Sequence, residues 1–338
     1  MDEQSGALGL TPEQTSQVLA TAGMAPSLHN AQPWRFRLGP RSIALVADRE
    51  RRLPEIDPDD RELRIACGAA LFNLRLALQG YGIRPMVTLL PDPTDPDLLA
   101  VVRRGGRRPA TPEERSLLAA VPRRHTNRHP FSDAPVTVAE QYPLRRAAQD
   151  EGAWLHIVAD HAERTRLREL AVTAHRRQTA DPAFRAELAR WTAAEPGRLD
   201  GVPASAGGPL PEPGDAWFRR DFSGGTAAPL PSGKTYEEQP LVAVLTAHLS
   251  GPAADIQAGQ ALQRVLLTAT AEGLVVSFLS QVVEVPDTRG QLGQLISADR
   301  SPQAVLRIGH GWPVGSTPRR PVAELIDRAV TSDSTPTA

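Results

Sequence analysis

Two segments of this chain, GAALFNLRLALQGYG from Gly68 to Gly82 and GQALQRVLLTATAEG from Gly259 to Gly273, carry glycines at the same spacing around an apolar helical run. Ala70 and Ala261, Leu71 and Leu262, and Leu76 and Leu267 fall at matching positions. Two Ala/Leu-rich helices share some positions by chance, but the flanks agree as well. A tryptophan-led strand pattern, Trp34 to Leu38 in one case and Trp154 to Val158 in the other, precedes each long helix. Self-similarity of this kind means that one supersecondary unit is built twice. At 338 residues the chain is long for one compact core, and a duplicated unit is expected.

Local signals fill in the units. Thr11 is a candidate N-cap, with Pro12 at the first helical position and Gln14 three residues after the cap. Val18, Leu19 and Ala22 then form an apolar stripe, so a first helix is expected from Pro12 to Ala25. Trp34, Phe36 and Leu38 alternate with Arg35 and Arg37, and Ile43, Leu45 and Val46 resume past the Gly39-Pro40 break, which is a hairpin pattern. The run from Leu63 to Leu78 is apolar on nearly all faces and should lie at the centre of the fold. Met86 to Leu90, Leu98 to Arg104, Leu241 to His248 and Ala304 to Ile308 read as strands, and Ala162 to Ala193 as a charged helix broken near Asp181-Pro182. Residues 195–240 hold eight prolines and eight glycines, which excludes a long regular element. The tail after Val330, TSDSTPTA, should be disordered.

Charge and cysteine content narrow the function classes. With 38 Lys and Arg against 39 Asp and Glu, spread along the chain, there is no basic field for nucleic acid and no block to hold an anionic membrane surface. Small-molecule partners are expected. A single cysteine, Cys67, excludes a disulfide framework and a thiolate zinc site, and on an apolar helix face it reads as an inert core residue. The start, MDEQSGALGL, lacks a basic region followed by an apolar run, and no stretch of about 18 apolar residues occurs, so a cytoplasmic protein is expected.

Four stretches carry the chemistry: APSLHNAQPW (Ala25 to Trp34), RHTNR (Arg124 to Arg128), Glu272-Gly273-Leu274, and the late pair Arg319-Arg320. Together they resemble the nitroreductase family of FMN-binding flavoproteins. In that family an Arg-x-Ser/Thr-x-Arg/Lys segment opens the chain, a segment like APSxxNxQPW follows a helix, a helix beginning near Gly-x-Ala leads to Gly-Leu, and a late basic pair closes the site. Here the APSLHNAQPW copy lies in the first half, while RHTNR and the basic pair lie in the second. The resemblance is closest to the double-length, Acg-like branch and covers most of residues 11–328.

The resemblance implies an α+β fold, a mostly antiparallel sheet flanked by helices and duplicated as an internal pseudo-dimer. It would comprise a first half, 1–120, supplying one wall of the flavin site, and a second, 121–330, binding FMN. It further implies that Arg124, His125 and Thr126 hold the FMN phosphate, with Arg319 and Arg320 closing the other flank. A planar guanidinium suits that dianion because it gives two parallel charge-assisted hydrogen bonds. Arg128 matches the position that stabilises negative charge on the reduced ring. Pro26, Ser27, Leu28 and Asn30 match ring contacts that the partner subunit makes elsewhere in the family. Glu272, Gly273 and Leu274 match a segment beside flavin N5 and O4, although a plain glycine C-cap explains them equally well. His29 is a proton-donor candidate or a structural turn residue, and Gln32, Pro33 and Trp34 hold the turn.

Two decoys fall away. GHGWPVG (Gly309 to Gly315) lacks the βαβ context of a dinucleotide site, and Pro130 breaks any helix that would align His125 with His129 for a metal. The first half has no second RHTNR, so one FMN per chain is expected. The function that follows is an FMN-dependent oxidoreductase. It would take a hydride from NAD(P)H and pass electrons to a nitroaromatic, quinone or activated alkene, as a monomer with its internal pseudo-dimer or a further homodimer. The Pro/Gly-rich segment, with Trp217, Phe218, Arg219, Arg220 and Phe222 in its middle, is a candidate lid or a surface excursion. A permanently closed lid would instead make the protein an FMN store.

Overall fold

Two four-stranded antiparallel sheets with the same strand order organise the chain. A computed structural model describes residues 6–192, 197–210, 220–223, 225, 227–228, 230, 237, 240–248, 250–297 and 300–327. The first unit runs α1 (Pro12–Gly23), β1 (Trp34–Gly39), β2 (Ser42–Ala47), α2 (Arg61–Gly80), β3 (Ile83–Leu89) and β4 (Leu98–Arg107), and α3 (Pro112–Ala120) follows. The second runs α4 (Val138–Asp150), β5 (Trp154–Ile157), α5 (His161–Ala180), α6 (Pro182–Trp191), β6 (Leu241–Ala247), α7 (Pro252–Ala271), β7 (Val275–Phe278), α8 (Gln281–Glu284), α9 (Pro286–Ile296), β8 (Ser301–Gly309) and α10 (Val322–Leu325). Strand orders are β1-β2-β4-β3 and β5-β6-β8-β7. The second unit is the first with α5, α6 and the Pro/Gly-rich segment inserted between β5 and β6, and α8 and α9 between β7 and β8.

The elements form where the local signals put them. Thr11 and Gln14 close a capping box on α1, the helix break falls at Asp181, whose side chain caps α6, and β1 pairs with β2 from Trp34 opposite Ala47 to Gly39 opposite Ser42. Among the described residues no helix is long and apolar enough to cross a membrane. The tail after Val330 lies outside the described residues.

The repeated helices α2 and α7, of 20 residues each, pack against one another through their matching glycines. A Cβ built on Gly68 would lie 2.1 Å from the Ile256 carbonyl oxygen, and one on Gly259 would lie 2.0 Å from that of Ile65. Only glycine lets the two backbones approach this closely. The contact also exchanges side chains: Ile256 of α7 sits in the core formed by α1, α2 and β1–β4, and Ile65 of α2 in the core of the second unit. Each such burial removes an isoleucine from water, worth about 1.5–3 kcal/mol.

Chain segments cross as well. Thr126 bridges in parallel to Val276 on the β7 edge, with Asn127 N–H donating to the Val276 carbonyl at 2.9 Å. The C-terminal run returns to the first unit, where Ile326 bridges to Phe36, Arg37 pairs with Asp327 at 2.9 Å, and Leu325 enters the first core. These crossings bring residues from both halves to one place.

Candidate functional site

The turn after α1 is held in a costly conformation. His29, Asn30 and Gln32 all have left-handed φ values (49°, 56° and 52°), which cost non-glycine residues of order 1–3 kcal/mol each. Contacts from distant segments hold it. Asn30 Nδ2 donates to the Gly201 and Pro318 carbonyls (3.1 Å each), Gln32 Nε2 to the Leu199 carbonyl (2.8 Å), and Ser27 Oγ accepts from Gln32 N–H (2.9 Å). Pro33 offers its carbonyl to the buried Cys67 thiol at 3.2 Å. Gln32 and its neighbours therefore brace the turn.

Braced in this way, Pro26, Ser27, Leu28 and His29 form one wall of a cleft that encloses about 840 Å³, part of it open to solvent. Ile65, Ala66 and Ala69 of α2 and Leu262 of α7 give it an apolar floor, and Thr126, Arg128, Ser277, Phe278 and Ser280 come from the far side. Arg220 and Phe222 of the Pro/Gly-rich segment complete the wall. Phe222 lies under the Arg128 guanidinium, 4.2 Å from ring centroid to Cζ, and tilts against His29. Arg220 is ion-paired with the fully buried Glu284 and donates to Gln178 Oε1 at 2.9 Å. Trp217, Phe218 and Arg219 lie outside the described residues.

A second compartment, of about 420 Å³, shares Pro26, Ser27, Thr126 and Arg128 with the cleft and is lined further by Asn30, Arg124, His125 and Arg319. Its character is cationic. Arg124 is buried, its Nε has no acceptor, and among the described residues no carboxylate pairs with it. Arg319 is held by Asn30 Oδ1 (2.9 Å) and Thr317 Oγ1 (2.6 Å), again with no carboxylate partner and with its Nε orphaned. Burial and the neighbouring Arg319 push Arg124 down to about 9, burial pushes Arg319 down to about 10, and burial with Arg124 lowers His125. A buried cation beside a second, half-buried one is costly unless an anion joins them. The residues present fit a phosphate.

Of the residues singled out from sequence, Pro26, Ser27, Leu28, Asn30, Arg124, His125, Thr126, Arg128 and Arg319 converge on these joined compartments. Arg320 does not. It turns away to donate to the Gln32 and Glu324 carbonyls (3.2 and 2.7 Å) and faces Asp48 at 3.4 Å, so its charge is spent bracing the turn. Glu272, Gly273 and Leu274 line neither compartment. They end α7 in a Schellman motif, with Gly273 at φ 78°, Leu274 N–H donating to Ala269 and Gly273 N–H to Thr270, so the C-cap reading describes them.

His29 is buried, and burial together with Arg220 and Arg128 pushes it down to about 3, so it is neutral. Glu62, on the first turn of α2, was not anticipated and is the only carboxylate lining the cleft among the described residues. Its signal in the sequence was its spacing from Ile65, Ala66 and Ala69, which puts it on the same helix face.

No protein-family model matches the chain. It is 32% identical over 326 residues, 93% of this chain and 91% of the relative, to "Putative NAD(P)H nitroreductase Rv3131" of Mycobacterium tuberculosis. It is 30% identical over 321 residues, 94% and 96% of the two chains, to "Putative NAD(P)H nitroreductase acg" of the same organism. Among solved structures, a nitroreductase with bound FMN from Desulfitobacterium hafniense aligns at 13% identity and a TM-score of 0.40, covering 63% of this chain and 97% of that one. Given relatives of such identity along nearly their whole length, the chain belongs to the nitroreductase family, in its double-length, Acg-like branch.

Proposed function

We propose that this protein is an FMN-dependent oxidoreductase that draws electrons from NAD(P)H and delivers them to a small-molecule acceptor, a nitroaromatic, quinone or activated alkene. One FMN sits at the junction of an internal pseudo-dimer, with residues 1–120 and 121–330 as its units. The observation that carries this reading is the pair of guanidinium groups without a carboxylate partner among the described residues, the buried Arg124 and the half-buried Arg319, beside a larger, mostly apolar cleft that shares its lining with theirs. A phosphate on one side and a flat, mostly apolar ring on the other match the two compartments.

FMN, when bound, supplies two-electron transfer between successive substrates. The chain's own residues do the rest. Arg124, Arg319 and His125 hold the phosphate, and Arg124 does so as a bidentate donor. Pro26, Ser27 and Leu28 form the wall against which the ring is laid. Arg128, which lines both compartments and is pushed down to about 10 by burial and by Arg220, remains a cation at neutral pH. It offsets negative charge accumulating beside it in a site of low dielectric. Phe222 and Arg220 act as the part of a lid that excludes water.

The test is to purify the protein, load FMN and add NADH or NADPH without oxygen. Loss of the yellow colour within seconds supports the oxidoreductase. A flavin that only dithionite reduces makes the protein an FMN store, and a protein that takes up no FMN contradicts both.

A further inference from the structure

A cleft walled by Phe222 and Arg220 raises a question that electron transfer alone does not answer. Reduction of a quinone to a hydroquinone takes two electrons and two protons. A hydride brings both electrons and one proton, so the second proton comes from a group beside the acceptor wherever the bound molecules keep water out. The hydroxyls there, Ser27, Thr126, Ser277 and Ser280, have no surplus proton to release near neutral pH. Neutral His29 faces Arg220 Nη1 through its Nε2 at 3.5 Å and holds no extra proton either.

Glu62 is placed differently. It lines the cleft, and it also lines a separate narrow pocket, with room for about one water, whose rim includes the exposed residues Pro58, Asp59 and Pro286. Its side chain, 15% exposed, therefore stands between the cleft and an opening to water that bypasses the Arg220–Phe222 wall.

We propose that Glu62 is the proton donor of the cleft, recharged from water through the pocket beside Asp59 and Arg289. The proposal rests on the FMN oxidoreductase reading. In the step, the hydride goes to the acceptor with its electron pair while the Glu62 carboxyl O–H gives its proton to the acceptor oxygen. The resulting carboxylate then takes a proton from water in the small pocket. NAD(P)H restores the electrons, so quinone, NAD(P)H and one proton become hydroquinone and NAD(P)⁺.

The surroundings suit the role. Arg61, ion-paired with Glu62 on the same helix, and Arg289 of α9 favour the carboxylate, while Asp57 from the preceding loop and Glu284 of α8 disfavour it; Asp59 lines the small pocket beside it. Arg128, Arg220 and His29 face it across the cleft. Burial outweighs the arginines and, with Asp57 and Glu284, raises Glu62 to about 7, where a general acid is most effective.

The test compares wild type with Glu62→Gln, which keeps the shape and removes the proton. FMN is still expected to bind. The rate of the quinone half-reaction should fall by about 10²–10⁴-fold, and its inflection near pH 7 should vanish. Infrared difference spectra of FMN-free wild type should show a protonated-carboxyl band that titrates near pH 7 and is missing from the variant. Glu62→Asp, a second variant should Glu62→Gln fail to fold, should keep the inflection at a reduced rate. Equal rates and pH profiles in wild type and Glu62→Gln, or no such carboxyl band, would overturn the assignment of Glu62 alone. A wild type that binds no FMN would overturn the reading on which it rests.

Discussion

Replacing Gly68 or Gly259 with alanine tests whether the two halves are joined as the fold describes. The added Cβ of Gly68→Ala would lie 2.1 Å from the Ile256 oxygen and 3.0 Å from Gly259 Cα, and that of Gly259→Ala 2.0 Å from the Ile65 oxygen and 2.9 Å from Gly68 Cα. Ordinary contact between such atoms is about 3.5 Å, so the helices must part by roughly 1 Å or more. The obstacle is helix backbone, which cannot swing aside as a side chain does. Overpacking of this kind costs about 1–3 kcal/mol, occasionally more, while the better helix propensity of alanine returns about 1 kcal/mol.

A clash this deep with helix backbone takes the upper part of that range, about 2–3 kcal/mol, so a net loss of about 1–2 kcal/mol is expected in each single variant, read as a lower urea midpoint at unchanged slope. The double variant should lose less than the sum, because the same gap is opened only once. Parting the helices also moves Ile65, Ala66, Ala69 and Leu262 under the cleft, so FMN affinity should fall in step. Single variants as stable as wild type, or more stable by the propensity gain, would refute the close crossing.

Two further outcomes follow from buried charge. Because Glu62 is raised from 4.5 to about 7 by burial, its protonated form stabilises the fold fully below about pH 4.5, and that contribution is lost as pH rises through about 7. The stability of wild type relative to Glu62→Gln should thus drop by about 3 kcal/mol between pH 4 and pH 8 in denaturant titrations, and a parallel pair of curves would contradict it. Arg220→Gln leaves Glu284 buried without its cation and should cost about 3–5 kcal/mol, much of it recovered by adding Glu284→Gln; thermal unfolding of the four proteins checks the coupling.

The fold was legible because its signals are local or periodic. The capping box at Thr11, the alternation from Trp34 to Leu38 and the matched glycines of α2 and α7 each specify their element without help from distant residues. Much of the lining of the two compartments was legible too, because RHTNR and APSLHN each keep their lining residues within one short stretch. What failed depended on where a side chain turns after the chain is packed. Arg319 and Arg320 are neighbours in sequence, yet one faces the cationic compartment and the other Asp48 and the carbonyls of the turn. Gly273 ends a helix in the same way whether or not a ligand lies near it. Glu62 looked like an ordinary acidic residue in a first helical turn, and only the meeting of α2 with α8 and α9 sets it between a closed cleft and water.

The central claim is that Arg124 and Arg319 await a phosphate whose attached ring fills the cleft between the halves. Calorimetric titration of the FMN-free protein with FMN and with riboflavin, which lacks the phosphate, tests it most directly. Charge-assisted bonds of about 1.5–3 kcal/mol each put the expected preference for FMN at roughly 100-fold or more, shrinking sharply in Arg124→Met. Equal affinity for FMN and riboflavin, or the same preference without Arg124, would contradict the account.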